Sequence, residues 1–341
     1  MISKYEIDFL SVGAADAILI HFIDDKHGER VIAFDAGRYG DGSDVANFIR
    51  DKYHRQVIDI AICTHCDDDH YGGFIKIIED YKENPTIGVA IGALLVNEPG
   101  KYTKASDYKR YTSTPNARQE ARSVYTIDRN GKNLLECASD AHIPMYEAFS
   151  YGGDFYQVFD GILDILGPTK AYYQSLVPDL RNNLQPYDTT QDDTQDDTCM
   201  ENGNCISPKL DAFGDDDSTH NQSSIVVMFN PGDGKKFLFM ADAGRAAFDH
   251  MLDIDREKMK DVFILKVPHH GSKYNLDSTM INWIKPAIAV VSAQSEELYF
   301  SPLVKNALKR RGTAVYSTIG GGLWYNRGFD DREDYETASP D

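Results

Sequence analysis

Short apolar runs, separated by turns rich in Gly, Asn and Asp, predict strands along most of the chain. The predicted strands cover residues 5–10, 14–23, 30–34, 58–63, 87–96, 155–166, 224–229, 236–240, 262–267, 287–291 and 314–316. Apolar residues at helical spacing predict helices at 43–50, 74–79, 278–284 and 302–311. Strands that end in polar loops recur in both halves of the chain. This pattern favours an α/β protein in which two sheets meet with one site between them.

The densest polar cluster directly follows the predicted strand 58–63. Residues 65–70 read His-Cys-Asp-Asp-Asp-His, and the two glycines behind them open a helical pattern. We therefore expect the cluster to lie in a strand-to-helix loop. Carboxylates and imidazoles that converge there need a cation between them, and this donor set suits zinc, manganese or iron better than calcium or magnesium. The alternative is an acidic surface turn that contains histidines.

Two further strand ends carry groups of the same kind. Asp35 follows the third predicted strand, where it either caps the helix at 43–50 or accepts a hydrogen bond from a metal-binding histidine. The predicted strand 262–267 ends in Pro-His-His-Gly-Ser, which brings His269 and His270 to a strand end. Metal-binding residue types therefore come from both halves of the chain.

The charge of the chain limits its partners. The sequence has 341 residues, with 35 basic and 54 acidic side chains and a formal net charge of −19. A field of this sign repels extended nucleic acid unless metal ions and a local basic patch offset it. The apolar fraction of 42% is ample for a core, and the length allows one large domain or two modest ones.

The five cysteines and the N-terminus point to a cytoplasmic protein. Cys63 and Cys66 form the single C-x-x-C pair, which leaves a redox pair or a zinc ribbon open, although no second pair completes a four-cysteine site. Reduced thiols are the favoured state. The N-terminus has no apolar signal segment, and no apolar run approaches the ~20 residues that span a membrane.

A basic insert at 98–150 interrupts the α/β rhythm. Its part at 98–132 has eight basic and four acidic residues with tyrosines between them. This composition suits an anionic ligand that contains a nucleobase, and Lys101, Lys104 and Arg110 are candidate contacts. A solvated insert of helices and loops would have the same composition.

A second insert at 181–217 is acidic and has few large apolar residues. Ordering it would bury little surface, so we expect a flexible, solvated segment, with regulation or metal buffering as the alternative role. Residues 326–341 are polar and are expected to form a C-terminal tail.

These motifs resemble the metallo-β-lactamase superfamily, and within it the soluble domain of ComEC-type DNA-uptake proteins. The superfamily signature is similar to residues 65–70, although its second ligand is more often histidine than aspartate. Further similar segments are 9–17, 35–37, 167–168, 269–272 and 315–320. The resemblance covers about residues 5–325 apart from the inserts. It implies a four-layer αββα sandwich over residues 1–325, with two mixed β-sheets and helices on the outer faces.

The resemblance also implies a centre with two divalent metal ions, zinc or manganese. The implied ligands are His65, Asp67 and His220 for one ion and Asp69, His70 and His270 for the other, with Asp242 bridging both. Asp35 would support the ligands from behind, and Lys273 would add positive charge unless it is solvated. His269 is an alternative ligand to His270; if it is free, it either donates a proton to the leaving group or supports the ligands. Asp69 and His269 are therefore the catalytic candidates.

The implied activity is that of a hydrolase. We expect a phosphodiesterase that acts on nucleic-acid ends, as a nuclease, or on a small nucleotide, through a metal-bridging hydroxide. The alternatives are an ester, thioester or lactam hydrolase on the same site, and a metal-stabilised adaptor that binds a protein partner through the inserts. Where the ComEC branch usually has histidine before a proline, this chain has Phe-Ser-Pro at 300–302, so one substrate-contacting imidazole is expected to be missing.

Overall fold

Two seven-stranded mixed sheets form the frame of the protein in the computed structural model, which describes residues 2–107, 113–127, 130–150, 157–180, 210–294 and 300–332. The first sheet contains β1 (Ile2–Phe9), β2 (Ile18–Asp24), β3 (Gly28–Phe34), β5 (Ile60–Ile62), β7 (Leu94–Leu95), β8 (Met145–Tyr146) and β16 (Leu323–Arg327). Its order is β16-β1-β2-β3-β5-β7-β8. The four strands β16 to β3 are antiparallel, and β3, β5, β7 and β8 are parallel.

The second sheet repeats this plan with strands from the second half of the chain. It contains β9 (Gln157–Val158), β10 (Leu163–Gly167), β11 (Val226–Phe229), β12 (Phe237–Phe239), β13 (Ile264–Lys266), β14 (Ile288–Val291) and β15 (Ala314–Ser317). Strands β9 to β12 are antiparallel, and β12 to β15 are parallel. A separate parallel pair joins β4 (Val57–Ile58) to β6 (Ala90–Ile91).

Helices cover the outer faces of both sheets. The helices are α1 (Gly42–Lys52), α2 (Asp68–Glu83), α3 (Thr114–Arg122), α4 (Leu134–Asp140), α5 (Lys170–Leu176), α6 (Thr219–Gln222), α7 (Arg245–Asp249), α8 (Asp253–Lys258), α9 (Ser278–Ile284) and α10 (Pro302–Lys309). Within the described part of the chain, none of them is long and apolar enough to cross a bilayer.

Three apolar clusters define four layers. The middle cluster joins the facing sides of the two sheets, for example Tyr5 on β1 to Phe237 on β12. One outer cluster packs α1 and α2 on the first sheet, and the other packs α9 and α10 on the second. In β12 successive side chains face opposite sides of the sheet, since Phe237 and Phe239 belong to the middle cluster and Leu238 to the outer one. The expected αββα class is thus confirmed.

Helix α2 begins inside the His-Cys-Asp-Asp-Asp-His motif, earlier than the sequence predicts. Asp69 and His70 lie in its first turn instead of in a loop. The glycines that suggested the helix start lie within the helix for a packing reason. A Cβ on Gly73 would lie 1.9 Å from the carbonyl oxygen of Ala36, so only glycine lets the segment after β3 approach this closely.

The predicted C-terminal tail at 326–341 is partly wrong, because its start belongs to β16, which pairs with β1. Farther on, Arg332 donates hydrogen bonds to Glu6 Oε2 at 2.6 Å and to Asp8 Oδ1 at 2.8 Å. Both carboxylates are buried on β1, and buried carboxylates need a cation nearby. Residues 333–341 lie outside the described part.

The basic insert is packed rather than solvated where it is described. It supplies the edge strand β8, and Leu134 and Leu135 of α4 are buried in the outer cluster of the first sheet. Of the acidic insert, only residues 210–217 are described, and Leu210 there is buried against the second sheet. The expected flexibility of the acidic insert therefore concerns mainly residues 181–209, which lie outside the described residues.

Candidate metal centre

The shared plan of the two sheets brings the polar loops to one edge. The loop after β5 leads into α2, the loop after β12 carries Asp242, and the loop after β13 carries His269 and His270. Each of these strands lies in the parallel part of its sheet, so its carboxyl end points to the same side as those of its neighbours. The backbone N–H of Ile225 donates to the Thr64 carbonyl at 2.9 Å and joins the two halves beside the cluster.

Five of the predicted ligands converge in two groups that share His70. In the first group, Asp242 Oδ2 lies 3.4 Å from His70 Nε2 and 3.8 Å from His65 Nε2. In the second group, His270 Nε2 lies 3.7 Å from Asp69 Oδ2. The ligand atoms of each group lie within 4.8 Å of one another, so each group could hold a metal ion.

Three buried polar atoms in the first group have no hydrogen-bond partner. They are His65 Nε2, His70 Nε2 and Asp242 Oδ1. Burying such atoms without a partner costs free energy, and two imidazole nitrogens with a carboxylate oxygen are ordinary zinc and manganese donors. A divalent cation between them would satisfy all three, so the residues present fit the implied metal.

In two of the histidines, the ring nitrogen that faces away from the cluster donates a hydrogen bond. His70 Nδ1–H donates to Asp35 Oδ2 at 2.7 Å, and Thr64 also donates to Asp35 through its backbone N–H and hydroxyl. His270 Nδ1–H donates to the Ser292 carbonyl at 2.9 Å. Each bond leaves Nε2 with its lone pair toward the cluster. Asp35 thus lies behind a predicted ligand; the alternative that it caps α1 is wrong, because Asp41 precedes that helix.

His220 lies on the other side of Asp67 from His65. Its Nδ1 is 2.6 Å from Asp67 Oδ1, and its Nε2–H donates to the Leu180 carbonyl. Among the described residues it groups with Cys66 and Asp67, not with His65. The assignment of His220 to the same ion as His65 remains a prediction.

His269 faces Asp242 from the second sheet. Its Nε2 lies 3.8 Å from Asp242 Oδ2, and its Nδ1 lies 2.9 Å from Asn275 Oδ1 and 3.4 Å from Asp216 Oδ2. Asp216 accepts hydrogen bonds from Asn221 at 2.6 Å and from Asn275 at 2.7 Å. The end of the acidic insert therefore reaches the metal cluster, a contact that the sequence did not predict.

Backbone strain occurs in the same loops. Asp35, His269 and His270 have φ values of 55°, 46° and 53°, in the left-handed region that non-glycine residues rarely adopt. Each such residue costs about 1–3 kcal/mol and persists only where its surroundings hold it. Such strain is typical of loops that hold functional side chains in position, here around the metal-binding cluster.

Without a cation, the cluster holds protons instead. Burial alone lowers the pKa of His70, but Asp242 and Asp35 raise it well above the usual value. Burial opposes charge on His269 as well, yet Asp242 and Asp216 raise its pKa to about 10. Burial raises the pKa of Asp242, but His70 and His269 hold it well below its usual value. The carboxylates of the cluster therefore favour positive charge beside them, either on the imidazoles or on a bound cation.

The stability of the metal-free protein should fall as the pH rises. The folded-state pKa of His269 is about 10 against an ordinary value of 6.5, so its contribution is fully present below pH 6.5 and is lost toward pH 10. We expect the melting temperature of chelator-treated protein to decrease across this window, and that of metal-loaded protein to change less. A melting temperature that rises for the metal-free protein would contradict the assignment.

Asp16 and Lys266 are site residues that the sequence analysis missed. Both are buried, and Lys266 Nζ donates to Asp16 and, at 3.3 Å, to the Ala241 carbonyl. Asp16 lies 3.9 Å from the Nδ1 atoms of His70 and His270. A lysine inside the apolar run 262–267 was the available signal, because a buried ammonium needs a carboxylate partner.

The predicted substrate-binding residues are scattered. Lys273 is buried with its Nζ 4.3 Å from the centre of the Phe213 ring. Lys101 Nζ lies 3.8 Å from Glu147 Oε1 within the basic insert, and Lys104 is exposed. Arg110 lies outside the described residues. Their role in binding substrate remains a prediction.

Comparison with known proteins gives likenesses of structure alone. No family model matches the sequence, and no curated protein matches it. A crystal structure described as a new diphosphatase from the PhnP family is similar over 96% of this chain and 99% of that chain, with 10% identity and a TM-score of 0.44. The metallo-β-lactamase fold protein YhfI from Bacillus subtilis is similar over 94% of this chain and 99% of that chain, with 9% identity and a TM-score of 0.44.

Proposed function

We propose that the protein is a metal-dependent hydrolase whose substrates are phosphodiesters, either a small nucleotide or the end of a nucleic acid. The proposal rests mainly on three buried atoms that could bind a metal and that have no hydrogen-bond partner, on His65, His70 and Asp242. Residues from both sheets surround this set, and two groups of side chains there could each hold a cation.

The proposed roles follow from the contacts of each side chain. Zinc or manganese would supply positive charge and a water of lowered pKa at the cluster. Asp69, His70 and His270 would hold one ion, and His65, Asp67 and His220 would hold the other. Asp242 would contribute to both. His269 would carry a proton on both ring nitrogens, because Asp242 and Asp216 raise its pKa to about 10. Nδ1–H would then donate to Asn275 Oδ1, and Nε2–H would be the proton for the leaving oxygen.

The choice of phosphodiesters rests on the donors and on the charge. A ligand set rich in carboxylates favours hard metal ions and hard oxygen substrates. The net charge of −19 opposes the approach of long polyanions, so short substrates are favoured. The basic insert is the proposed source of the compensating charge.

A hydrolysis assay with two chromogenic substrates tests the proposal. Protein stripped by a chelator and reloaded with Zn²⁺ or Mn²⁺ is offered bis-p-nitrophenyl phosphate and a chromogenic lactam. We expect metal-dependent release of p-nitrophenol and no lactam opening, with the stripped protein as the control. Turnover of the lactam alone would support the ester, thioester or lactam hydrolase instead. Full metal loading without turnover of any substrate would support the adaptor.

A further inference from the structure

A separate pair of buried acids lies on β1. Tyr5, Ile7 and Phe9 of this strand belong to the middle apolar cluster, so the alternating residues Glu6 and Asp8 face the outer layer. Both acidic side chains are buried there. Two carboxylates on the same face of one strand repel each other, and burial makes the charge costly unless a cation lies beside them.

Neighbouring segments complete a pocket around these acids. His21 on β2 pairs with Glu6, with its Nδ1 2.7 Å from Glu6 Oε1, and Trp324 on β16 donates from its indole N–H to Glu6 Oε2 at 2.9 Å. The Tyr53 hydroxyl donates to Asp8 Oδ2 at 2.5 Å. Burial raises the pKa of Asp8 to about 6 even with its hydrogen-bond donors in place. A cation in the pocket therefore favours the ionised form.

The guanidinium of Arg332 fills the pocket as a two-pronged donor. Its Nη1–H donates to Asp8 Oδ1 at 2.8 Å, and its Nη2–H donates to Glu6 Oε2 at 2.6 Å and to Asp8 Oδ2 at 3.3 Å. One guanidinium edge thus contacts both oxygens of Asp8 and one oxygen of Glu6. The compact ammonium of a lysine lacks this planar fork.

Three aromatic rings surround the same guanidinium. Its Cζ lies 4.7 Å from the ring centre of Trp324, 5.4 Å from that of Phe48 and 5.5 Å from that of Tyr53. Cations within about 6 Å of a ring face are attracted by the ring, and guanidinium is also flat enough to stack on it. Carboxylates and rings together select a planar cation.

Arg332 reaches the pocket on a segment that belongs to no helix or strand. After β16, Gly328 has a φ of 90°, and the Asn326 side chain hydrogen-bonds the N–H and the carbonyl of Phe329, which turns the chain back. Residues 330–331 are exposed. The walls of the pocket therefore belong to the frame of the protein, whereas the cation that fills it comes from a short surface segment.

We propose that this pocket is a binding site for an alkylguanidinium group and that Arg332 occupies it as an internal ligand. With Arg332 in place, the segment 328–332 is fixed to the first sheet. Without Arg332, the same carboxylates and rings bind a free alkylguanidinium ion. The site includes none of the proposed metal ligands and does not depend on the activity proposed above.

A fluorescence titration tests the site directly. Trp283→Phe leaves Trp324 as the single tryptophan of the chain. In this background, Arg332→Ala is titrated with methylguanidinium, and methylammonium at the same ionic strength is the control for charge. We expect methylguanidinium to change the Trp324 emission saturably and to raise the melting temperature of Arg332→Ala, and methylammonium to do neither. Protein that retains Arg332 should show no saturable change, because its site is filled.

Two further variants separate the pocket from general salt effects. Arg310→Ala removes an exposed arginine at the end of α10, so it should respond like the parent. Adding Asp8→Asn to Arg332→Ala should abolish the response to methylguanidinium, since the paired acceptor is lost. An equal response to both cations, a response to neither, or an equal response in protein that retains Arg332 would overturn the proposal.

Refolding covers the case in which Arg332→Ala does not fold alone. We then expect methylguanidinium, but not methylammonium, to restore the circular dichroism of the parent protein during refolding. Failure of methylguanidinium to restore it would overturn the site. Because neither measurement uses turnover, a protein that hydrolyses no phosphodiester but binds methylguanidinium in this way keeps the site and loses the proposed function.

Discussion

Asp242→Ala should lower the metal content of the protein and reduce phosphodiester hydrolysis by at least ~100-fold, the scale of losing one electrostatic catalytic group. Asp242 Oδ2 lies 3.4 Å from His70 Nε2 and 3.8 Å from both His65 Nε2 and His269 Nε2. Without this carboxylate, the cluster loses the negatively charged group that would hold a cation together with the imidazoles. Metal content per chain and turnover of bis-p-nitrophenyl phosphate are the two measurements.

Asp249→Ala is the matched control for this variant. It also removes one carboxylate, but Asp249 is exposed at the end of α7 and belongs to none of the groups of metal-binding side chains found among the described residues. We expect this control to keep its metal and its turnover, and both variants to keep the circular dichroism of the parent protein. Full activity in Asp242→Ala would show that the bridging role is misassigned.

Lys266→Met should destabilise the protein by about 3–5 kcal/mol, the usual cost of removing one partner of a buried ion pair. Lys266 and Asp16 are both buried, so the substitution leaves the Asp16 carboxylate without its cation behind His70 and His270. Denaturant unfolding of the metal-free protein measures the loss.

The double variant Lys266→Met with Asp16→Asn separates the ion pair from packing. It removes both charges and keeps the side-chain shapes close to those of the parent residues, so we expect it to recover most of the lost stability. If the single and double variants lose the same free energy of unfolding, the effect of Lys266 is packing and the pair contributes nothing.

The part of the site that the sequence predicts is the part encoded locally. Residues 65–70 are dense in donors and follow an apolar strand, so both their chemistry and their position at a strand end could be read directly. Asp242 was assigned through the resemblance to a known family, since a single aspartate after a strand is not informative alone. The sequence left His269 as an alternative ligand to His270. In the structure His270 groups with Asp69 and His70 and has the Ser292 carbonyl behind it, and its role as the ligand remains a prediction.

The remaining features depend on contacts between distant segments. Lys266 and Asp16 are 250 positions apart, and no local pattern connects them. Asp216 was hidden in a stretch whose acidic composition is typical of solvated segments. The last strand, β16, was missed because its pairing with β1 is decided by the sheet rather than by its own residues.

A crystal structure of zinc-soaked protein, with anomalous data collected at the zinc edge, tests the central claim most directly. We expect two anomalous peaks about 3.5–4 Å apart, one beside His65, His70 and Asp242 and the other beside Asp69 and His270. A fully occupied zinc peak elsewhere, with none between these side chains, would contradict it.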